Sequence, residues 1–320
     1  MTSASRHLGL DLGGTNIKQA VVEHDGTGWT AVARSQSPTW YAAATDDVPA
    51  GIVAQLGEMA VAAMAEWGPI ASVGIGIPGL YDAARGTVRF LPNVAGPWAG
   101  HPVAAPVAAA VGVPTCLVND ARAFGLAELR LGAGRGASSM VGLTLGTGVG
   151  GVIAVDGRVH QGHDGTGGEL GHQTIDPDGP WCGCGNRGCL EAYARADQIA
   201  ASCGAATAEE AVTRAREGDP QALAGLAEVG RYLGIGIANL VTIVTPDRVV
   251  IGGGIAAASD LLVPHIWREL RRRVRTTSLD NVELVAAELG TWAGSIGAAI
   301  HGAEQAAVAP QIGAPSADAA

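Results

Sequence analysis

The sequence is short of charge and has no basic excess. Charged residues make up 16%, with 20 Lys and Arg against 30 Asp and Glu, a net charge of −10 and a pI near 5.2. That balance argues against a nucleic-acid partner, for which a basic patch is expected. No apolar stretch runs uninterrupted for the roughly 18 to 20 residues that a membrane span requires, so neither a span nor a membrane partner is expected. Nothing at the N-terminus reads as a secretory signal, and five cysteines without one point to thiols in a reducing cytoplasm. No G-K-[ST] follows the glycine turns, which excludes a Walker loop. What the 320 residues do contain is 48% hydrophobic side chains, ample for the cores of about two soluble domains. Forty-eight glycines are too many for a helical bundle and call for tight turns and close backbone approaches.

The densest chemistry lies between Gly168 and Glu191, where Glu169, His172, Cys182, Cys184, Cys189 and Glu191 fall within about two dozen residues. Neither C-x-C nor the following C-x4-C is a zinc-finger spacing. Gly183, Gly185 and Gly188 nevertheless allow the backbone to bring Cys182, Cys184 and Cys189 to one ion, with His172 as fourth ligand of a tetrahedral zinc site. The competing reading is a disulfide or free thiols in a flexible loop, which a cytosolic cysteine cluster disfavours. Four protein ligands leave no position for water, so such a zinc is structural and its service is to fix Glu169 and Glu191 in direction.

Two glycine turns repeat one design. A strand over 7–12 ends in Asp11-Leu12-Gly13-Gly14-Thr15 and is followed by a strand over 17–22; a strand over 140–145 ends in Gly146-Thr147-Gly148-Val149-Gly150-Gly151 and is followed by one over 152–155. Each tip can expose backbone N–H groups and a hydroxyl to a phosphate, and Asp11 suits a magnesium ion through water. Either turn alone could be an ordinary hairpin; the pair reads as an internal duplication.

Between them, apolar periodicity predicts a helix over 49–67, a buried strand over 72–77 stopping at Pro78-Gly79, and an irregular loop over 91–98. Asn93 in that loop is a turn former or a ligand residue. A strand over 114–118 leads to Asn119-Asp120 and a helix over 121–131. Asp120 is either that helix's N-cap or a general base at the carboxyl end of a strand. Further on, Thr207 to Glu210 fits a capping box and Asp219-Pro220 a helix start. Leu223, Leu226, Leu233, Ile237 and Leu240 predict a long buried helix ended by Pro246. A strand over 248–251, the turn Gly252-Gly253-Gly254, a helix over 259–274, a strand over 282–285 and a helix over 293–305 follow. Gly294 and Gly297 mark a close approach to a nucleotide or to another helix, and 306–320 is expected to be a disordered tail.

In this order and spacing, D-L-G-G-T, L-G-T-G-V-G-G, N-D, E-L-G-H and C-G-C-G-N-R-G-C-L-E resemble the ROK family of bacterial sugar kinases and regulators, over roughly residues 7–305. The resemblance implies an α/β, actin-like ATPase (ribonuclease H-like) fold with two α/β domains around a cleft, 1–117 with the last helix packed back on it, and 118–292. It implies ATP and Mg2+ at Asp11, Gly13, Gly14, Thr15, Gly146, Thr147 and Gly148, with Gly252, Gly253 and Gly254 near the adenosine. Asp120 becomes the catalytic base; Gly79, Asn93, Asn119, Glu169, His172 and Glu191 line the sugar site; and His172, Cys182, Cys184 and Cys189 hold structural Zn2+. The implied protein is a cytoplasmic homodimer or homotetramer that moves the ATP γ-phosphoryl group to a hexose, most simply the 6-OH of glucose. Mannose, fructose, N-acetylmannosamine and N-acetylglucosamine remain as alternative acceptors. Polyphosphate as donor fits poorly with the negative net charge. A sugar-sensing repressor would carry a winged helix-turn-helix ahead of the first hairpin, where only about ten residues precede Asp11. A silent sugar-binding module is disfavoured by the intact hairpins and Asp120. One departure stands out: many members have Lys where this chain has Asn16, and a lysine stands instead at position 18.

Overall fold

The computed structural model describes residues 4–41 and 47–308. The chain forms two compact units, one made of the described residues up to Val118 together with those from Ala298 onward, the other of Asn119–Gly297.

The first unit carries β1 (Ser5–Leu12), β2 (Asn16–His24), β3 (Trp29–Pro38), α1 (Val48–Trp67), β4 (Ser72–Ile77), the small hairpin β5 (Leu80–Asp82) and β6 (Thr87–Phe90), α2 (Ala104–Val111) and β7 (Thr115–Asn119). Its sheet runs β3-β2-β1-β4-β7, with β1–β2–β3 antiparallel and β4 parallel to β1. The second unit carries α3 (Asp120–Leu131), β8 (Ser139–Leu145), β9 (Val149–Val155), β10 (Arg158–Val159), α4 (Glu191–Ala194), α5 (Ala196–Ser202), α6 (Ala208–Arg216), α7 (Pro220–Val244), β11 (Arg248–Gly253), α8 (Ser259–Arg273) and β12 (Glu283–Ala286). Its sheet runs β10-β9-β8-β11-β12, again an antiparallel meander continued by parallel strands. The duplication read from the glycine turns is therefore a duplication of whole sheets, in which each unit's first hairpin supplies the pivot between antiparallel and parallel pairing. α9 (Ala293–Val308) closes the described chain.

Each sheet has its own core. Leu8, Leu10, Leu12, Ile75 and Ile77 pack with Ile52 and Leu56 of α1 in the first unit. Val141, Leu143, Leu145, Val249 and Ile251 pack with Leu226, Leu233 and Ile237 of α7 in the second. α1 and α7 are long and apolar enough to cross a membrane by length and composition, but their apolar faces are spent on these cores.

Several local expectations need correction. Leu223, assigned to the buried stripe of α7, is 41% exposed; it lies in the first turn, before the stripe meets the sheet. Asn119, not Asp120, caps α3: its side chain accepts from the N–H groups of Ala121 and Arg122, and Asp120 is the first helical residue. The return arm of the Thr207 capping box reaches Ala206 N rather than Thr207 N. Gly297 answers to a helix: a Cβ there would stand 1.7 Å from the Ala123 carbonyl oxygen. Positions 306–308, expected in the tail, finish α9; the remainder of that stretch lies outside the described residues.

Candidate active site

The tip of the first hairpin is shaped by what holds its back. Gly13 N–H closes onto Asn16 O at 3.1 Å. The carbonyls of Gly13, Gly14 and Thr15 accept, in turn, from Thr39 Oγ1 at 2.7 Å, Tyr41 Oη at 2.7 Å and Thr39 N at 2.9 Å. In a planar trans peptide the C=O and the next N–H point in opposite directions, so tying these carbonyls back turns the N–H groups of Gly14, Thr15 and Asn16 the other way. This orientation of the hairpin tip rests on a buttress, Thr39 and Tyr41, which the sequence motif did not reveal. Gly14 is required there because a Cβ would lie 2.5 Å from the Asn93 carbonyl oxygen, which also places exposed Asn93 beside the hairpin. Gly79 has a packing reason of its own, since its Cβ would meet the Phe90 carbonyl at 2.1 Å.

Asp11 stands at the root of this hairpin, paired in register with Lys18 on β2 and Gly76 on β4. Burial pushes its carboxyl up to about 6, with Lys18 pulling in the other direction. A carboxylate held against its desolvation cost fits a divalent cation, which would favour the charged form.

The second hairpin is braced differently. Gly146 N–H bonds Gly148 O at 2.9 Å, and Gly146 O accepts from Ala196 N at 2.8 Å. Glu191 Oε2 accepts from Val149 N at 2.9 Å and fills the space where a Cβ on Gly148 would stand. Thr147 borders a pocket of about 380 Å³ shared with Asp197, Thr207 and Glu209. Gly252 is buried, whereas Gly253 and Gly254 are exposed; Gly253, with φ of 89°, presses so closely on Leu145 that a Cβ would stand 2.2 Å from its carbonyl.

The cysteine segment folds as a knuckle. Trp181 bridges Arg187, Cys182 N–H bonds Asn186 O at 2.8 Å, and Gly188, with φ of 63°, lies so close to Asp176 that a Cβ would stand 1.5 Å from its carbonyl. A second bridge, Thr174 to Cys189, brings the knuckle to His172. The ligand atoms of His172, Cys182, Cys184 and Cys189 all lie within 4.8 Å of one another. Cys182 Sγ stands 3.7 Å from His172 Nδ1, and Cys184 Sγ stands 3.7 Å from Cys189 Sγ. Zinc bonds of about 2.0 to 2.3 Å in a tetrahedron set ligand separations of roughly 3.5 to 3.8 Å, so the donor set fits that ion, and His172 faces it through Nδ1. All five cysteines are unbridged.

Of the two acids near this knuckle, Glu191 is tied inward, with Oε1 at 3.5 Å from Cys182 Sγ and Oε2 on Val149 N of the second hairpin. It links the knuckle to the hairpin, a geometry beyond the sugar-lining role expected for it. Glu169 is the exposed one. It is steered by Arg122, which the sequence reading passed over: this guanidinium is 1% exposed, donates to the carbonyls of Gly167 at 3.0 Å and Gly165 at 2.5 Å, and stands 3.5 Å from Glu169 Oε1. An arginine two places after Asp120, directly ahead of the apolar run 123–127, was the available signal. Asp120 itself is half-buried at the first turn of α3, whose other end is fixed by buried Glu128 accepting from Ala133 N, Glu288 N and Leu289 N. Asn119, Asp120, Glu169, His172 and Glu191 all belong to the second unit; Asp11, Gly79 and Asn93 belong to the first.

Comparison with known proteins follows the same lines. The ROK family profile matches residues 7–304. A glucokinase of Thermotoga maritima is 36% identical over 311 residues, covering 91% of this chain and 95% of that one. The crystal structure of a ROK family glucokinase from Streptomyces griseus in complex with glucose and AMPPNP superposes with a TM-score of 0.76 at 32% identity, covering 94% of this chain and all of that one (100%). The xylose repressor of Bacillus subtilis is 30% identical over 235 residues, but these make up 60% of its length.

Proposed function

The chain is a member of the ROK family with its actin-like α/β fold, and on that premise we propose that it is an ATP-dependent hexose kinase that converts ATP and D-glucose to ADP and D-glucose 6-phosphate. The observation that carries the reading is the duplicated hairpin. Each sheet turns a glycine tip at its pivot, and in the first the carbonyls are drawn back so that the N–H groups of Gly14, Thr15 and Asn16 face the other way. Phosphoryl transfer asks a protein chiefly for alignment and charge neutralisation, and those tips supply both.

Asp11, Gly13, Gly14 and Thr15 serve as a phosphate clasp in the first unit, and Gly146, Thr147 and Gly148 as one in the second. The groove beside Thr147 and the exposed Gly253-Gly254 turn take the nucleoside. Mg2+ at Asp11 supplies neutralisation of phosphate charge when bound, and Zn2+ on the knuckle supplies rigidity. Glu169, aimed by Arg122, accepts hydrogen bonds from sugar hydroxyls, with Asn119 and the outer edge of His172 completing the recognition in the second unit; a sugar contact for Asn93 is carried over from the family alone. Asp120 takes the proton of the attacking 6-OH as its oxygen bonds the γ-phosphorus and the bond to the β,γ-bridging oxygen breaks, releasing ADP. General-base assistance of this kind is worth about 10²- to 10⁴-fold. Asn119 serves as the cap of α3, and Asp120 Oδ1 accepts from Ala121 N at 2.8 Å beside it. A reducing cytoplasm suits the unbridged thiols; a homodimer or homotetramer is carried over from the family alone.

The test is ADP release from ATP with a panel of glucose, mannose, fructose and the two N-acetylhexosamines, read for kcat and KM. Glucose is expected to give the highest kcat/KM. Sugar binding without ADP release would leave a silent sugar-binding module.

A further inference from the structure

The second glycine hairpin is gripped at two points by one short stretch of chain. Val149 N–H donates to Glu191 Oε2 at 2.9 Å, and Ala196 N–H donates to Gly146 O at 2.8 Å. Between these anchors lies the single turn of α4, so residues 191–196 bracket the tip 146–149 within the second unit. With the Gly146 carbonyl drawn toward Ala196, the Thr147 N–H points the other way, while Gly148 O closes the tip on Gly146 N at 2.9 Å. Side-chain packing contributes little to this shape. A Cβ on Gly146 would meet nothing within 4 Å, and the space at Gly148 is taken by Glu191 itself, with Oε2 2.6 Å from where a Cβ would stand. Glycine loses more conformational freedom on ordering than any other residue, so a tip of this composition keeps one shape only through the bonds that hold it. Of the two Glu191 oxygens, Oε1 stands 3.5 Å from Cys182 Sγ, and a thiolate on zinc has no proton to donate. The bond from Val149 therefore fixes the carboxylate, and the carboxylate in turn fixes the tip. Ala196, the other anchor, also lines the pocket of about 380 Å³ bordered by Thr147.

We infer that Glu191 is a positioning residue for the phosphate donor: it holds the second hairpin in the shape that receives the nucleotide. The inference rests on the kinase reading above and gives Glu191 a task on the nucleotide side, where the sequence reading placed it only beside the sugar. Glu191 follows Cys189 by two residues and opens α4, so the knuckle that aims it and the tip it braces are joined by one side chain. A tip ordered before the nucleotide arrives leaves less to be ordered on binding. The competing role is a sugar contact alone, in which Glu191 accepts from hydroxyls and the tip keeps its shape without it.

Two conservative substitutions separate reach from charge. Glu191→Gln keeps an oxygen at the same reach and gives up the charge. Glu191→Asp keeps the charge but falls one methylene short of Val149 N, so the 2.9 Å bond lengthens past hydrogen-bonding distance. Binding of MgAMPPNP is measured by calorimetry without sugar on both variants and wild type, with zinc content by elemental analysis and glucose binding alongside. Glu191→Asp is expected to weaken MgAMPPNP binding at least about tenfold, the scale of one lost hydrogen bond to a charged group. Glu191→Gln should stay within about threefold of wild type, since its amide oxygen still accepts from Val149 N, and both variants should retain zinc. Equal nucleotide affinity in all three proteins overturns the inference, and a loss confined to glucose returns Glu191 to the sugar site alone. A loss as large in Glu191→Gln as in Glu191→Asp overturns it too, because reach is then not what matters. So does an Asp variant that loses zinc together with nucleotide, since collapse of the knuckle then accounts for the effect. Wild type that binds MgAMPPNP but releases no ADP from ATP with any hexose overturns the kinase reading instead, and the nucleotide affinities still decide the role of Glu191.

Discussion

Replacing Asp11 with asparagine removes a charge while keeping the side chain's shape, and the structure sets the size and the pH window of the effect. Burial holds the carboxyl at about 6 against an ordinary 3.8. At 1.36 kcal/mol per tenfold change in proton affinity, that gap corresponds to at most about 3 kcal/mol of ionisation cost at neutral pH. Partial exposure reduces it, and about 1–2 kcal/mol is the working figure. Because the folded state holds the proton more tightly than the unfolded chain, the carboxyl's contribution to stability is fully present below 3.8 and is lost as pH rises through about 6. Asparagine mimics the protonated form at every pH. Asp11→Asn without ligands should therefore melt about 2–6 °C above wild type at pH 7.5, and this advantage should shrink steadily between pH 6 and 4. The same variant should gain no thermal stability from MgATP, while wild type gains several degrees, and its turnover should fall by at least about 10²-fold. Differential scanning fluorimetry across that pH range, with and without MgATP, reads all of this. A variant less stable than wild type at pH 7.5, or equally shifted at pH 7.5 and 5, would show that Asp11 is not a strained acid awaiting a cation.

Cys184→Ala should yield protein with substoichiometric zinc by elemental analysis and weakened glucose binding by calorimetry, since structural zinc contributes on the order of 10 kcal/mol in small zinc domains; a metal-free variant with full activity would uncouple the knuckle from the sugar site. Arg122→Met leaves the Gly165 and Gly167 carbonyls unpaired and Glu169 unsteered, so it should cost about 2–4 kcal/mol in denaturant unfolding and raise the KM for glucose more than that for ATP. Equal KM values for both substrates before and after the change would remove Arg122 from substrate positioning. Gly14→Ala drives a Cβ to 2.5 Å from the Asn93 carbonyl and should lose about 1–3 kcal/mol of stability while raising the KM for ATP; an unperturbed KM for ATP would mean that the hairpin tip is not a phosphate contact.

Glycine punctuation carried most of the fold into view. The two turns at 13–14 and 146–148 end strands at the same place in matching sheets, because a turn this tight admits few other residues. The knuckle was equally readable, since Cys and His report their chemistry by identity. What escaped the sequence was whatever depends on partners far away along the chain. The buttress from Thr39 and Tyr41 onto Gly13 and Gly14 is invisible to a motif that stops at Thr15. Arg122 reads as a surface residue until its carbonyl partners, more than forty positions on, come to it. Glu191 was assigned a direction by family likeness, whereas the fold spends one of its oxygens on Val149 N. The shift of the α3 cap from Asp120 to Asn119 is a displacement of one residue, which pattern reading does not resolve.

The central claim, that Asp120 deprotonates the sugar hydroxyl rather than serving the helix, is met most directly by measuring kcat and glucose affinity together in Asp120→Asn. The account predicts that kcat falls by about 10²- to 10⁴-fold, that glucose binds within several-fold of wild type, and that the melting temperature is nearly unchanged because Asn119 keeps the cap. Near-normal kcat, or an activity loss that simply tracks a loss of stability, would contradict it.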